Sequence, residues 1–241
     1  MGATEKLNIE SISFEADGLK LKGVLHFPDD KRPPVVIGSH GLYSNSSSPK
    51  QIALAGECNR LGIAYFRFDH RGCGSSEGEF DRVTSLEARC RDLIAAAETI
   101  HSRIDTSGSL GLFGSSMGGT VCLNTAGRMA ADTVVTFAAP IRSDLAGSQS
   151  EMPRSEIVFD AAKRQFDITK RLSDISNIQI FHGDADDVVP VSHASEIYSL
   201  AQPPKQMIIQ KGGDHPMSNK EHQKEFVREA AGWFQKGLKE S

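Results

Sequence analysis

Cysteine is scarce in this sequence, and its spacing excludes two common uses of the residue. The 241 residues include four cysteines, and no two of them stand in the CxxC or CxxH spacing of a zinc site. Nor do they form the dense framework of a small disulfide-bonded secreted domain. We therefore predict free thiols and no bound metal, with the cysteines scattered at Cys58, Cys73, Cys90 and Cys122.

Long apolar runs and an excess of basic charge are missing too. No run approaches the roughly 20 residues that span a bilayer, and residues 1–10 are acidic and polar where a signal peptide carries an apolar core. The 27 Lys and Arg residues are outnumbered by 31 Asp and Glu residues, and the basic ones are spread along the chain. We expect a cytoplasmic protein that binds neither nucleic acid nor a membrane.

The sequence predicts strands of two kinds. Segments 9–16 and 20–27 flank Asp17-Gly18, a dipeptide that favours a tight hairpin turn, so they are predicted to pair antiparallel. After Pro33-Pro34 the strands become short apolar runs, which are typical of buried parallel strands. These runs lie at residues 35–39, 63–68, 110–113, 133–137, 178–181 and 207–209.

Helix-like segments separate the apolar runs, at residues 51–61, 86–101, 118–130, 193–201 and 220–237. Strands that alternate with helices imply parallel pairing through right-handed crossovers. The predicted fold is α/β: a three-layer sandwich with a mostly parallel eight-stranded sheet and an antiparallel N-terminal hairpin. A single domain over residues 1–241 is expected, with a small polar cap inserted at about 141–177.

A serine flanked by glycines follows the apolar run at 110–113. Residues 114–118 read GSSMG, which fits G-x-S-x-G with Ser116 at the centre and a helix directly behind it. A nucleophile on a sharp strand-to-helix turn needs small neighbours, and Gly114 and Gly118 provide them. A phosphate-binding loop would need a lysine after the glycines, and none is present. An ordinary structural turn remains the alternative for this motif taken alone.

A base and an acid follow this serine in the chain. Serine attacks only with a neighbouring base, which a third group orients. His215 ends the loop KGGDH after the last predicted strand, and the loop HGDADDVVP after the preceding strand holds three carboxylates. Both loops leave the carboxyl ends of parallel strands, where ligands bind in such sheets. The order Ser, Asp, His is the one expected for this architecture.

Together these motifs resemble those of the α/β-hydrolase fold family. HGDADDVVP has the form H-G-x-x-D-x-x-V-P and accompanies G-x-S-x-G and G-x-D-H. FDHRGCGSSEG is similar to the D-x-R-G-x-G-x-S loop of many serine hydrolases, and the likeness covers nearly the whole chain. Within this superfamily the chain most resembles small microbial carboxylesterases, including the cinnamoyl and feruloyl esterases.

The resemblance implies three catalytic residues. The nucleophile falls on Ser116, the base on His215 and the acid on Asp186, which the spacing of the H-G-x-x-D motif selects. Asp184 and Asp187 remain alternatives for the acid because they lie in the same loop. The sequence therefore predicts a serine nucleophile activated by a histidine and a carboxylate.

The resemblance also implies an oxyanion hole of two backbone N–H groups. One belongs to Met117, directly after the nucleophile at a helix N-terminus. The other belongs to Leu42, which follows His40-Gly41 in the loop that corresponds to the family's H-G-x loop; His40 is expected to support this loop. Structural hydrogen-bonding roles are expected for His70, Arg71, His182 and His193, with a binding role left open for the first two.

The predicted function is a cofactor-independent carboxylesterase that cleaves small to medium carboxylic esters through an acyl-enzyme. Its partner is a small-molecule ester, and the formation of a homodimer remains an open alternative. The polar cap argues against a lipase, and its apolar residues expected at the substrate are Ile157, Val158, Phe159 and Phe166. A peptidase or acyl-peptidase and a thioesterase are alternatives with the same triad. A ligand-binding protein on the same fold is the non-enzyme alternative.

Overall fold

A computed structural model describes residues 8–29, 32–143 and 165–238. Across these residues the chain forms one eight-stranded sheet in the order β1-β2-β4-β3-β5-β6-β7-β8. The strands are β1 (Asn8–Ala16), β2 (Leu19–Phe27), β3 (Val35–Ser39), β4 (Ala64–Phe68), β5 (Leu110–Ser115), β6 (Thr133–Phe137), β7 (Ile178–Gly183) and β8 (Lys205–Gln210).

The sheet is antiparallel at one edge and parallel elsewhere. β1 pairs with β2, and β2 with β4, in antiparallel register, whereas all pairs from β4 to β8 are parallel. The hairpin turn forms because Asp17 and Gly18 both take positive φ, at 51° and 77°, as a primed turn requires. The predicted fold class is confirmed, including the N-terminal hairpin.

Helices cover both faces of the sheet. They are α1 (Pro49–Arg60), α2 (Phe80–Val83), α3 (Leu86–Arg103), α4 (Met117–Thr125), α5 (Ser192–Leu200) and α6 (Lys220–Gly237). Apolar residues of α1 and α6 pack on one face, and those of α3, α4 and α5 pack on the other. These layers bury the runs of Val, Ile, Leu and Phe that predicted the parallel strands.

Two helix predictions need correction. The helix predicted over 118–130 ends at Thr125, because the chain must reverse before β6; residues 126–130 form turns and Ala130 takes a φ of 49°. The short α2 was not predicted, since four residues carry too little periodicity. The other predicted helices agree with the structure to within two residues.

The packing of α6 supports the strands that end at the candidate site. The buried ring of Phe226 lies 5.3 Å from that of Phe113 on β5, 6.4 Å from Phe137 on β6 and 5.1 Å from Phe181 on β7. Each of these contacts buries aromatic surface against neighbouring strands. The carboxyl ends of β5 and β7, where Ser116 and Asp186 follow, therefore rest on one common aromatic cluster.

The chain between β6 and β7 departs from the strand-helix rhythm, as the sequence predicts. Arg142 and Asp167 form an isolated antiparallel bridge, and Ser143 N–H donates to the Phe166 carbonyl at 2.9 Å. A 3-10 helix, Thr169–Asp174, then leads into β7. Residues 144–164 lie outside the described residues, and with them the three proposed substrate contacts Ile157, Val158 and Phe159.

Among the helices of residues 8–29, 32–143 and 165–238, none combines the length and the apolar character that crossing a bilayer requires.

Candidate active site

Ser116 lies on a sharp turn between β5 and α4. Its backbone takes φ 53° and ψ −126°, a strained conformation for a residue with a Cβ. Its N–H donates to the Phe137 carbonyl at 2.7 Å, which ties the turn to β6. A Cβ on Gly114 would overlap the Gly118 carbonyl, and a Cβ on Gly118 would overlap the Ser39 carbonyl. The glycines therefore allow the close approach that turns the serine out of the sheet.

The structure brings the three predicted catalytic side chains into one hydrogen-bonded row. His215 Nε2 lies 3.2 Å from Ser116 Oγ, and His215 Nδ1 lies 2.8 Å from Asp186 Oδ2. An ionised carboxylate only accepts, so Nδ1 carries the proton and Nε2 accepts from the serine hydroxyl. The Asp186 side chain is 0% exposed and that of His215 19% exposed, so the row runs from the interior to the surface of a cleft.

Asp186 is held ionised by several donors. Its Oδ1 accepts the N–H groups of Val188 and Val189 at 2.9 and 2.8 Å, while Oδ2 faces His215 and also lies 3.4 Å from His182 Nε2. Burial alone would raise its pKa, but the hydrogen bonds from His182, His215 and Val189 outweigh burial and hold the pKa well below its usual range. An acceptor that stays ionised is what a histidine base requires.

The two alternative carboxylates do not contact His215 within the described residues. Asp184 accepts the Gly212 N–H, and both Asp184 and Asp187 are exposed. Asp214, next to the histidine, accepts the Ser218 N–H at 2.7 Å and so closes the turn.

Gly41 and Leu42 lie beside the serine. A Cβ built on Gly41 would be 3.5 Å from Ser116 Cβ. Within the described part of the chain, the N–H groups of Leu42 and Met117 donate no backbone or side-chain hydrogen bond. One of these unpaired donors directly follows Ser116 in the chain and the other directly follows Gly41, and backbone donors of this kind are what an oxyanion would use.

A second Ser-His-Asp row lies beneath the loop after β3 and cannot meet a substrate. Ser39 Oγ is 2.8 Å from His70 Nε2, and His70 Nδ1 is 3.3 Å from Asp92 Oδ2, but all three side chains are fully buried. Arg71 donates to Asp92 at 2.6 Å, and burial lowers the pKa of His70 to about 4. His70 is sealed from solvent, and the guanidinium of Arg71, whose side chain is 5% exposed, is paired with Asp92 and Asp17, so the structure assigns both residues to holding the loops rather than to the binding role left open for them.

Sequence reasoning missed Arg89, a buried arginine on α3. Its guanidinium donates to the carbonyls of His40, Gly41 and Leu42. Position 89 shares a helical face with Leu86 and Leu93, which are three residues before it and four after it. That spacing is the sequence signal that could have predicted the burial of Arg89.

A cavity of about 710 Å³ opens above Ser116 and His215. Its apolar lining residues include Leu42, Tyr43, Met117 and Val188, and among the predicted substrate contacts Phe166 lies in its wall. None of the described lining residues is Asp or Glu. Tyr43 and Val188 are more than half exposed, so the mouth of the cavity is apolar as well.

Comparison with known proteins gives a family and several relatives. The family model described as serine aminopeptidase, S33, matches residues 30–150, half of the chain. The uncharacterized protein YfhR of Escherichia coli strain K12 is 29% identical over 214 residues, covering 86% of this chain and 73% of its own. The mitochondrial palmitoyl-protein thioesterase ABHD10 of Mus musculus is 26% identical over 219 residues, covering 78% of this chain and 71% of its own.

The fold is shared with solved esterase structures. Est1E from Butyrivibrio proteoclasticus, solved with ferulic acid bound, superposes with a TM-score of 0.79 over 94% of this chain and 98% of its own, at 18% identity. That identity speaks for the fold alone. With the family model matching half of its length and the fold agreeing over nearly all of it, the chain belongs to the serine aminopeptidase S33 family of α/β hydrolases.

Proposed function

We propose that this hydrolase is a serine carboxylesterase for small to medium carboxylic esters. Ser116 Oγ attacks the acyl carbon while His215 Nε2 takes its proton, and Asp186 holds the resulting imidazolium. The N–H groups of Leu42 and Met117 bind the oxyanion. His215 then protonates the leaving alcohol, and water cleaves the acyl-enzyme by the same route. The observation that carries the proposal is the 3.2 Å contact between Ser116 and His215 at the base of the cavity.

The cavity supports an ester with an apolar acyl or aromatic part. Its volume of about 710 Å³ is in the range of small-molecule sites, and its wall is mainly apolar. Est1E, with a similar fold, carries ferulic acid in its structure, which makes hydroxycinnamate esters the first aromatic substrates to test.

Two other reactions use the same groups. A thioesterase is supported by the similarity to palmitoyl-protein thioesterase ABHD10, and sulfur is a better leaving group than an alkoxide. An aminopeptidase would need a carboxylate to bind the substrate's free ammonium group, and the described cavity lining offers none. We therefore rank the thioesterase second and the aminopeptidase third.

Hydrolysis of p-nitrophenyl esters of graded acyl length tests the proposal, with a methyl hydroxycinnamate alongside. Ser116→Ala is expected to lower kcat by about 10⁴-fold or more, because the nucleophile is lost. Ser115→Ala is the matched control: its hydroxyl makes no contact with His215 among the described residues, so most activity should remain.

The outcomes separate the candidate functions. Ester turnover that Ser116→Ala abolishes would support the esterase, and the chain-length optimum would size the acyl site. Folded wild-type protein that cleaves acyl thioesters or peptide nitroanilides but no ester would contradict it. Absence of turnover on all three classes would favour a ligand-binding protein on this fold.

A further inference from the structure

Arg89 carries a buried charge in an unusual setting. Its side chain is fully buried on the first turn of α3. Nη1 donates to the carbonyls of His40 and Gly41 at 3.3 Å each, and Nη2 donates to the Leu42 carbonyl at 2.9 Å and to Cys73 Sγ at 3.3 Å. Removing a guanidinium from water is energetically costly unless its surroundings compensate. Its direct hydrogen-bond partners are backbone carbonyls and the Cys73 sulfur rather than a carboxylate.

The neighbouring Arg71 shows the contrast. Its guanidinium is paired with Asp92 at 2.6 Å and with Asp17 at 2.9 Å, so its charge is neutralised. Asp92 also accepts from His70 and from the Arg71 backbone N–H. No carboxylate of the described residues forms an ion pair with Arg89, so its positive charge acts on the loop that it holds.

The carbonyls held by Arg89 belong to consecutive peptide units. In a trans peptide the C=O and the N–H point in opposite directions. The carbonyl of Gly41 and the N–H of Leu42 share one unit, so fixing the first fixes the direction of the second. Gly41 O also accepts from His40 Nδ1 at 2.7 Å and from the Ser44 N–H at 3.3 Å. This peptide unit is therefore held on its carbonyl side by three donors.

We infer that Arg89 is a positioning residue for the oxyanion hole: it holds the peptide units of residues 40–43 so that the Leu42 N–H faces Ser116. A cation on the carbonyl side also polarises the peptide, which makes its N–H a stronger donor. Because the hole is oriented before the reaction begins, no reorganisation is needed as charge develops on the substrate oxygen. The inference rests on the proposed serine hydrolase function.

The variants Arg89→Met and Arg89→Lys test this role. Arg89→Met keeps the length of the side chain but removes its charge and its donors. We expect kcat to fall by about tenfold to a hundredfold with KM within about threefold, because the lost interaction belongs to the transition state. Arg89→Lys restores the charge and one donor site, so part of the loss in kcat should be recovered.

Arg67→Met is the matched control. Arg67 also donates to a backbone carbonyl, that of Ser46 at 2.9 Å, and contacts His26, but among the described residues it makes no hydrogen bond to residues 40–43. Both arginines hold carbonyls of the segment between β3 and α1, and only Arg89 holds the peptide of the oxyanion donor. The control is expected to change the melting temperature without the selective loss in kcat.

A transition-state analogue supplies a readout that a general loss of stability does not move. A trifluoromethyl ketone adds to the serine and forms an anionic adduct in the oxyanion hole, whereas the corresponding alcohol binds without forming one. Across the Arg89 variants, affinity for the ketone should fall in parallel with kcat/KM, while affinity for the alcohol stays constant.

Each outcome decides a separate point. The inference is overturned if Arg89→Met folds and keeps the wild-type kcat and ketone affinity. It is also overturned if the only kinetic change in this variant is in KM. If Arg89→Met does not fold, Arg89→Lys decides, because the single ammonium nitrogen of lysine cannot occupy the positions of both Nη1 and Nη2 and must still weaken ketone binding. Activity that survives in Ser116→Ala would instead overturn the proposed function. Inactive Ser116→Ala beside fully active Arg89 variants would overturn the role of Arg89 alone.

Discussion

The carboxylate of Asp186 shows how one side chain is adapted by its loop. Its two oxygens face backbone N–H groups on one side and the imidazoles of His182 and His215 on the other. His182 Nε2 also lies 2.8 Å from the Val189 carbonyl, so this histidine at the start of the loop is hydrogen-bonded to a residue near the loop's end. The loop thereby fixes both the charge and the direction of the group that orients His215.

Exchanging single carboxylates in this loop tests the assignment of the acid. Asp186→Asn is expected to lower kcat/KM by about 10³- to 10⁴-fold, because an amide favours the wrong tautomer of His215. Asp187→Asn, an exposed position, should stay within about twofold of wild type. Steady-state kinetics on one ester suffice. The reverse order of the two effects would move the acid to Asp187 and leave the enzyme class unchanged.

At the scale of elements, the strand-to-helix turn depends on how closely α4 approaches its neighbours. The backbone of α4 passes so near the end of β3 that Gly118 has no room for a Cβ, and a Cβ on Gly119 would lie 2.6 Å from that of Ala139. The same approach places the N-terminus of α4 against the backbone of Ser39 and His40. The glycines after Ser116 are thus a requirement of packing as well as of chemistry.

Two glycine substitutions on this element should differ sharply. Gly118→Ala is expected to lower the free energy of unfolding by about 3 kcal/mol and to lose activity, because its methyl group meets the Ser39 carbonyl. Gly127→Ala, just beyond α4, has nothing within 4 Å and should be neutral or stabilising by up to about 1 kcal/mol. Urea denaturation measures both. Equal effects of the two would contradict the packing argument.

For the whole molecule, several buried histidines link folding to pH. His26, His40 and His70 are buried, and burial is the main cause that lowers the pKa of each: to about 4 for His26 and His70, and well below the usual value for His40. Arg67 adds to the effect at His26, whose Nε2 accepts its Nε–H at 2.9 Å. The folded protein therefore keeps these three imidazoles neutral.

This arrangement predicts that stability falls as the solution is acidified. Below about pH 6.5 the unfolded chain binds protons that the folded one excludes until about pH 4, so each such histidine contributes a slope of about 1.4 kcal/mol per pH unit. Urea denaturation at about pH 7, 6 and 5 measures the slope. His26→Gln should reduce it by about one histidine's contribution. A slope identical to wild type in that variant would show that His26 is already charged in the folded protein.

Much of the fold could be predicted because local pattern and backbone chemistry agree along the chain. The Asp17-Gly18 turn and the apolar runs predicted the strands of the sheet. The G-x-S-x-G motif and the two later loops predicted the side chains that the structure brings together around Ser116. The predicted C-terminal end of α4 was wrong, because residues 126–130 favour helix locally while the chain must turn toward β6. Tertiary connection overrode propensity there.

The sequence by itself determined the fold class and the three side chains of the candidate site, because strand endings and motif spacing are local properties. Only the tertiary structure decided that His215 contacts Asp186 rather than its neighbours, that Ser39, His70 and Asp92 are sealed from substrate, and that Arg89 holds the loop at Leu42. These facts depend on burial and on contacts between segments far apart in the chain. The hydrophobic periodicity of one segment carries no information about which distant residues that segment will contact in the folded protein.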